Sequence, residues 1–174
     1  ADRKPINPYA QTKLDDEYLA KKYSEMGVRV IGLRYFNVFG PRQSKEYAGV
    51  IKLFLEKIKQ KIPPKINGDG LQTRDFVHID DVVMANILAM DSNIKHEFFN
   101  VGTGNSISIL ELANVIIRAS NLPLEPIHGP ELSGDVRATQ ADTTLIRKLL
   151  NWEPTIRLDD WVTKIISNKD FQYI

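Results

Sequence analysis

A run of nine residues with almost no polar alternation, residues 28–36, does most to constrain the fold of this chain. Its sequence, VRVIGLRYF, is rich in β-branched and aromatic residues. Such a run is typical of a strand buried on both faces of a parallel sheet. Because parallel strands need long crossover connections, usually helices, we expect helices to alternate with strands along the chain.

Helical and extended patterns do alternate. Asp80 is predicted to cap one helix, and a capping box from Ser108 to Glu111 begins another. Residues 37–47 and 129–141 are predicted to form polar loops. This alternation predicts an α/β fold, an architecture that serves many functions. Helices are predicted over residues 8–26, 48–61, 80–90, 108–120, 143–150 and 158–167, and extended segments over residues 28–36, 65–67, 73–78, 97–101 and 124–128.

Composition excludes several classes of protein. With 43% hydrophobic residues, the 174-residue chain can bury a core, but it has no apolar run near the ~18 residues that a membrane helix needs. The absence of cysteine excludes a thiolate nucleophile and cysteine-bound metals, and it fits a reducing, cytoplasmic setting. Because 23 Lys and Arg balance 22 Asp and Glu, we expect no binding to nucleic acid or to a membrane. The three dispersed histidines predict no metal site.

Tyr9 and Lys13 lie four residues apart near the start of the first predicted helix, which places them on one face. A lysine ammonium beside a phenol favours the phenolate, so the pair predicts a general base. The same helix carries a second pair, Tyr18 and Lys22, on its opposite face. An exposed or packing tyrosine with a lysine nearby is therefore the competing interpretation.

Two polar side chains are candidates for binding an anion. Asn37 follows the predicted strand 28–36, at the end where open α/β sheets bind their ligands, although an asparagine there also tolerates a tight turn. Arg74 follows the turn at Gly68 to Gly70 and can donate two hydrogen bonds to a phosphate. Its alternative is a structural ion pair, with Asp75, Asp80 or Asp81 as the partner.

The chain has no glycine loop of the type that cradles a dinucleotide. Gly102 and Gly104 lack the third glycine of GxGxxG, and the next predicted helix begins several residues later. This chain therefore cannot bind a dinucleotide by that device.

Five motifs together resemble those of extended short-chain dehydrogenase/reductases. More narrowly, they resemble the nucleotide-sugar epimerase/dehydratase group, with the UDP-glucose and UDP-N-acetylglucosamine 4-epimerases most similar. The resemblance covers essentially the whole chain. In chain order the motifs are YxxxK at 9–13, RYFNVFGPRQ at 34–43, NGDG at 67–70 with TRDFVHIDD at 73–81, NVG at 100–102, and GDVR at 134–137 with AD at 141–142.

The resemblance implies that this chain is the carboxyl-terminal half of such an enzyme. Residues from about 1 to 47 would end a Rossmann-type parallel sheet. Residues from about 48 to 174 would form a small α/β nucleotide-sugar-binding region with interleaved strands. The amino-terminal half, which binds most of the NAD and carries a catalytic serine or threonine, is expected to be absent, so the fragment alone is expected to be inactive.

The resemblance also implies residue roles. Tyr9 would remove the proton of the sugar 4-hydroxyl, and Lys13 would bond the nicotinamide ribose of NAD. The remaining matches are to substrate contacts: Asn37 and Arg74 to the diphosphate, the backbone at Gly49 and Val50 together with Asn67 to the nucleotide, Asp135 to the ribose, and Thr139 to the C2 substituent of the sugar.

The chain departs from the family's usual pattern at one position, and a second position bears on substrate size. Relatives usually carry an arginine three residues before the residue matching Asp135, whereas this chain has Leu132; Arg137 or Arg42 would have to substitute, or the diphosphate would be held less firmly. At the position of Thr139 a tyrosine would exclude an N-acetyl group, so the small threonine predicts that N-acetylhexosamines are accepted.

Several alternatives stay open. A nucleotide-sugar dehydratase or decarboxylase of the same group would share these motifs, and a non-catalytic nucleotide-sugar-binding module would explain the missing cofactor loop. The resemblance also implies that the full-length enzyme is a homodimer paired through the helix that bears Tyr9.

Overall fold

The structure is a computed structural model that describes residues 5, 8–43 and 49–168. Tyr47 and Ala48, where one predicted loop ends and one predicted helix begins, lie outside the described residues. The helices are α1 (Pro8–Glu25), α2 (Val50–Lys59), α3 (Ile79–Asp91), α4 (Ile109–Ser120), α5 (Thr144–Leu150) and α6 (Leu158–Ser167). The strands are β1 (Val30–Tyr35), β2 (Asn37–Phe39), β3 (Lys65–Asn67), β4 (Thr73–Arg74), β5 (Phe76–His78), β6 (His96–Val101), β7 (Ile107–Ser108) and β8 (Ile127–Gly129).

Strand pairing is mostly parallel. β1 pairs with β6, β2 with β5, and β3 with β8, all in parallel, whereas β4 and β7 form a short antiparallel pair. Each parallel pair joins strands that are far apart in the chain, with at least one helix between them. This arrangement confirms the α/β prediction.

β1 is less buried than its composition predicts. Its side chains are half-buried, and Tyr35 is 48% exposed. Among the described residues β1 pairs with β6 alone, so one of its edges has no neighbouring strand. The two strands nevertheless approach closely at Gly32. A Cβ on Gly32 would lie 2.2 Å from Phe98 Cδ1, so only glycine leaves room for the Phe98 ring on β6.

The predicted polar loop at 37–47 is wrong at its start. Residues 37–39 form β2, whose first residue lies opposite Phe76 of β5. The amide nitrogen of Asn37 donates to the carbonyl of Asp75 at 3.0 Å. Three residues carry too little periodicity to identify a strand, and the bond that makes this one comes from a distant segment.

Helix caps follow the sequence in one case and depart from it in another. Ser108 caps α4 as predicted, accepting a hydrogen bond from the amide of Glu111 at 3.0 Å. Asp80, however, does not cap α3. The cap is His78, whose Nδ1 accepts from the amide of Asp80 at 3.1 Å, so the helix begins one residue earlier.

Two clusters of buried apolar side chains form the core. One packs α2, α4 and α6 together around Ile66 of β3, and the other packs α3 and α5 against β5 and β6. The second cluster contains Trp152, whose indole nitrogen donates to the carbonyl of Asp81 at 3.0 Å. The carboxylate of Asp81 accepts three hydrogen bonds from Thr155 and Ile156. This buried carboxylate therefore connects the start of α3 to the segment before α6.

Candidate functional site

Tyr9 and Lys13 lie on the exposed face of α1. Tyr9 is 72% exposed, and the Lys13 ammonium lies 5.8 Å from the centre of its ring. Lys13 Nζ also lies 3.0 Å from Asp16 Oδ2, and this hydrogen bond raises the pKa of Lys13. The lysine is therefore positively charged at neutral pH, beside a phenol that faces outward.

A bidentate ion pair between Glu17 of α1 and Arg34 of β1 holds α1 to the sheet. The Arg34 guanidinium donates from Nε to Glu17 Oε1 at 2.5 Å and from Nη2 to Glu17 Oε2 at 2.7 Å. Arg34 lies on β1 and also stacks over the Phe98 ring, at 5.3 Å from its centre. Bidentate geometry of this kind restricts rotation, so it orients the helix that carries Tyr9.

A cavity of about 670 Å³ is lined by α2, β2, β3, β4 and the segment after β8. Its volume is within the range of small-molecule sites. Of the seven residues proposed from the resemblance as substrate contacts, it is lined by Asn37, Gly49, Val50, Asn67, Arg74 and Asp135. The residues that line it include neither Tyr9 nor Lys13, which lie on α1.

Arg74 forms an ion pair, but its partner is none of the carboxylates near it in sequence. Its Nη2 donates to Asp135 Oδ1, and its Nη1 donates to the carbonyl of Thr73 at 2.7 Å. The alternative pairings with Asp75, Asp80 and Asp81 are not formed. The guanidinium, 13% exposed, faces the cavity beside a single carboxylate.

Asp75 is instead a buried structural carboxylate that the sequence analysis did not identify. One oxygen accepts from the amide and hydroxyl of Thr103 at 2.8 and 2.7 Å. The other accepts from the amides of Gly104 and Ala141 at 2.9 and 3.0 Å. Asp75 thus holds the turn after β6 and the segment before α5 against the strands that carry Arg74.

Thr139 lies next to the cavity and contacts one of its lining residues. Asn37 Nδ2 donates to the carbonyl of Asp75 at 3.0 Å and lies 3.4 Å from Thr139 Oγ1. The amide of Thr139 donates to the carbonyl of Thr73 at 3.1 Å, which extends the edge of β4. Thr139 is half-buried and is not among the residues that line the cavity.

The two arginines considered as substitutes near Leu132 are not on the cavity wall. Arg137 donates twice to the carboxylate of Asp69, at 3.1 Å each, and this pairing lowers the pKa of Asp69. Arg42 is exposed, whereas Leu132 itself lines the cavity. Neither arginine lines this cavity, although Arg137 lines a smaller adjoining one together with Leu132 and Asp135.

Two lysines that the sequence analysis missed do line the cavity. Lys57 lies on α2 and Lys65 on β3. The spacing of residues along the sequence could have identified both lysines. Lys57 lies at helical spacing from Val50, Leu53 and Phe54, which also line the cavity, and Lys65 lies two residues before Asn67, on the same face of a strand.

His78 is buried behind the cavity wall. Its ring packs edge-on against Phe39, with centroids 5.2 Å apart, and also lies 5.8 Å from the Trp161 ring. Burial lowers the pKa of His78, and the nearby carboxylates of Asp80 and Asp81 offset part of the effect. Since Nδ1 accepts the helix-capping hydrogen bond, the neutral ring carries its proton on Nε2, which is buried and has no hydrogen-bond partner among the described residues.

Comparison with known proteins identifies the class. A model described as the NAD dependent epimerase/dehydratase family matches residues 1–102, more than half of the chain. The chain belongs to this NAD-dependent family. The matched range includes Tyr9, Lys13 and Arg74, whereas Asp135 and Thr139 lie beyond it.

Individual relatives are nucleotide-sugar enzymes. A putative UDP-glucose 4-epimerase of Methanocaldococcus jannaschii is 36% identical over 165 residues, covering 94% of this chain and 53% of the relative. The UDP-glucose 4-epimerase of Thermotoga maritima, solved with UDP-glucose, has a TM-score of 0.90 at 33% identity, covering 97% of this chain and 55% of the other. A UDP-N-acetylglucosamine 4-epimerase from Methanobrevibacter ruminantium, in complex with UDP-N-acetylmuramic acid, has a TM-score of 0.88 at 31% identity, with 97% and 55% covered.

These matches establish the family and its Rossmann-type fold. The chain spans about half the length of the curated relatives that it matches. The curated relatives of the epimerase/dehydratase family include a decarboxylase as well as 4-epimerases. In the part of the chain that the structure describes, no helix is both long and apolar enough to cross a bilayer.

Proposed function

We propose that the whole protein is a UDP-sugar 4-epimerase that uses NAD and acts on UDP-glucose and UDP-galactose, including their N-acetylated forms. The observation that carries this proposal is the cavity of about 670 Å³, because it gathers polar side chains from five separate segments around one guanidinium. The similar epimerases solved with UDP-glucose and in complex with UDP-N-acetylmuramic acid support the choice of ligand.

The proposed substrate contacts follow from the chemistry of the wall. Arg74 and Asn37 would hold the diphosphate, since a guanidinium fork matches phosphate oxygens. Asp135, an acceptor of hydrogen bonds, would bind the ribose hydroxyls. The backbone at Gly49 and Val50, with the amide of Asn67, would contact the nucleotide.

Tyr9 and Lys13 would carry the proton chemistry. When bound, NAD would supply reversible oxidation of the sugar at C4. Tyr9 Oη would take the proton of the 4-hydroxyl and return it after the keto sugar has rotated. The Lys13 ammonium would stabilise the phenolate and donate to the nicotinamide ribose, roles that fit a donor-only cation 5.8 Å from the phenol ring.

The proposal extends to the organisation of the protein. We place most of the NAD site in an amino-terminal half, with residues from about 48 to 174 forming most of the sugar-nucleotide site. Strands of the two ranges interleave, because β1 pairs with β6 and β2 with β5. We also propose a cytoplasmic homodimer paired through α1, whose outer side carries exposed Tyr18, Leu19 and Tyr23. Sedimentation of the full-length protein as a monomer at micromolar concentration would contradict the dimer.

Product analysis of the full-length enzyme tests the activity. With NAD present, UDP-glucose should convert to a mixture with UDP-galactose, and UDP-N-acetylglucosamine to its galacto form. Absence of interconversion contradicts the proposal. Loss of water or carbon dioxide instead would favour a dehydratase or decarboxylase, a second candidate supported by a 31% identical UDP-N-acetyl-α-D-glucosaminuronate decarboxylase from Bacillus cytotoxicus.

A further inference from the structure

The cavity wall carries more positive charge than the proposed contacts use. Its charged side chains are Lys57, Lys65, Arg74 and Asp135. Arg74 is paired with Asp135, so this arginine and this carboxylate neutralise one another in the structure. Among residues 8–43 and 49–168, neither lysine has a carboxylate within ion-pairing distance. The net charge of the wall therefore comes from the two lysines.

Lys65 reaches toward the end of the sheet at which ligands bind. β3 and β8 are parallel, with Lys65 opposite Ile127 and Asn67 opposite Gly129. A Cβ on Gly129 would lie 2.4 Å from Lys65 Cε and 3.2 Å from its Nζ. The lysine side chain therefore leans two residues along the strands, toward their carboxyl ends, where open α/β sheets hold their ligands.

The absence of a side chain at Gly129 permits this position of the Lys65 side chain. With no side chain at 129, the end of the Lys65 side chain lies against the backbone of β8. Lys65, Leu132 and Asp135 all line the same cavity. Lys57, the other lysine of the wall, lies in the last turn of α2 rather than on a strand.

We infer that Lys65 is a ligand-binding residue that supplies the second positive charge for the phosphates of the bound nucleotide. This inference rests on the proposed function. A diphosphate carries more negative charge than Arg74 can balance while Asp135 remains beside it. The Lys65 ammonium has three donors and, in the described part of the chain, no carboxylate partner, so it can supply both charge and hydrogen bonds to a diphosphate bound in the cavity.

Isothermal titration of the full-length protein with UDP and with uridine tests the assignment. Lys65→Ala should weaken UDP binding about five- to tenfold, the effect of losing one charge-assisted hydrogen bond at an exposed site. Uridine, which has no phosphate, should bind the variant as it binds the wild type. The fall of UDP affinity with added salt should also be shallower in the variant.

Three further variants separate the effect of where the Lys65 side chain lies from the effect of its charge. Lys65→Arg should restore UDP affinity. Gly129→Ala, which keeps the lysine but blocks its path, should weaken UDP binding in the same direction as Lys65→Ala. Lys148→Ala, which removes an exposed lysine on α5 away from the cavity, should change nothing.

Specific results would overturn the inference. One is an unchanged affinity of Lys65→Ala for UDP. Another is that Lys65→Ala loses affinity for UDP and for uridine equally. The third is that Lys57→Ala loses as much UDP affinity as Lys65→Ala, because the effect would then come only from the general positive potential of the cavity. Wild-type protein that binds no UDP would refute the proposed function as well, whereas UDP binding that is insensitive to Lys65 refutes this inference alone.

Discussion

Tyr9 and Tyr18 provide a matched comparison on a single helix, since both are exposed and each has a lysine four residues later. Tyr9→Phe removes only the hydroxyl that we propose as the base, so kcat of the full-length enzyme should fall about a hundred- to ten-thousandfold. Tyr18→Phe should leave kcat near the wild-type value. Steady-state kinetics with UDP-galactose measures both, and equal kcat values for the two variants would refute the role of Tyr9.

Thr139 controls substrate size in our proposal. Thr139→Tyr should fill the space beside Asn37 and impose overpacking of about 1–3 kcal/mol on an N-acetylated sugar, a loss of about ten- to a hundredfold in relative kcat/KM. Activity on UDP-galactose should persist. Thr139→Ser, which keeps a small hydroxyl residue, should retain both activities. Equal loss of both activities in Thr139→Tyr, or rejection of UDP-N-acetylglucosamine by the wild type, would show that Thr139 does not face the sugar.

At the scale of elements, Asp75 connects three segments that no single helix or strand holds together. Asp75→Asn places an amide NH2 against two of the backbone or hydroxyl donors, so the free energy of unfolding should fall by about 3 kcal/mol. Asp91→Asn, at an exposed position near the end of α3, should change it by less than about 0.5 kcal/mol. Urea denaturation of the purified proteins measures both values. Similar stability of the two variants would mean that the four hydrogen bonds to Asp75 contribute little.

At the scale of the whole molecule, His78 should make stability depend on pH. Its folded-state pKa lies below the ordinary value of 6.5, so the unfolded chain binds a proton more readily. Stability is then complete above pH 6.5 and is lost as pH falls from 6.5 toward the folded-state pKa, by at most about 1.4 kcal/mol per pH unit.

Denaturant unfolding between pH 5 and pH 7.5 measures this dependence. His78→Asn keeps an N-cap acceptor but cannot titrate, so it should remove the loss of stability over that range. His128→Gln, at an exposed histidine, should retain the wild-type dependence. An identical pH dependence in wild type and His78→Asn would show that burial of His78 does not govern it.

The amino-acid sequence by itself determined the features that depend on near neighbours. The bounds of α6 and the cap of α4 at Ser108 were predicted correctly, because helical hydrogen bonds and caps join residues three or four positions apart. The α/β class follows from the same local patterns. The family was recognisable because five short motifs keep their order along the chain.

Only the tertiary structure decided the features that depend on distant partners. β2 exists because Asn37 bonds to Asp75, and Arg74 pairs with Asp135 rather than with a carboxylate near it in sequence. The path of Lys65 depends on Gly129, on another strand. Such contacts form when the chain brings remote segments together, and periodicity within a segment carries no information about which remote side chain will face it.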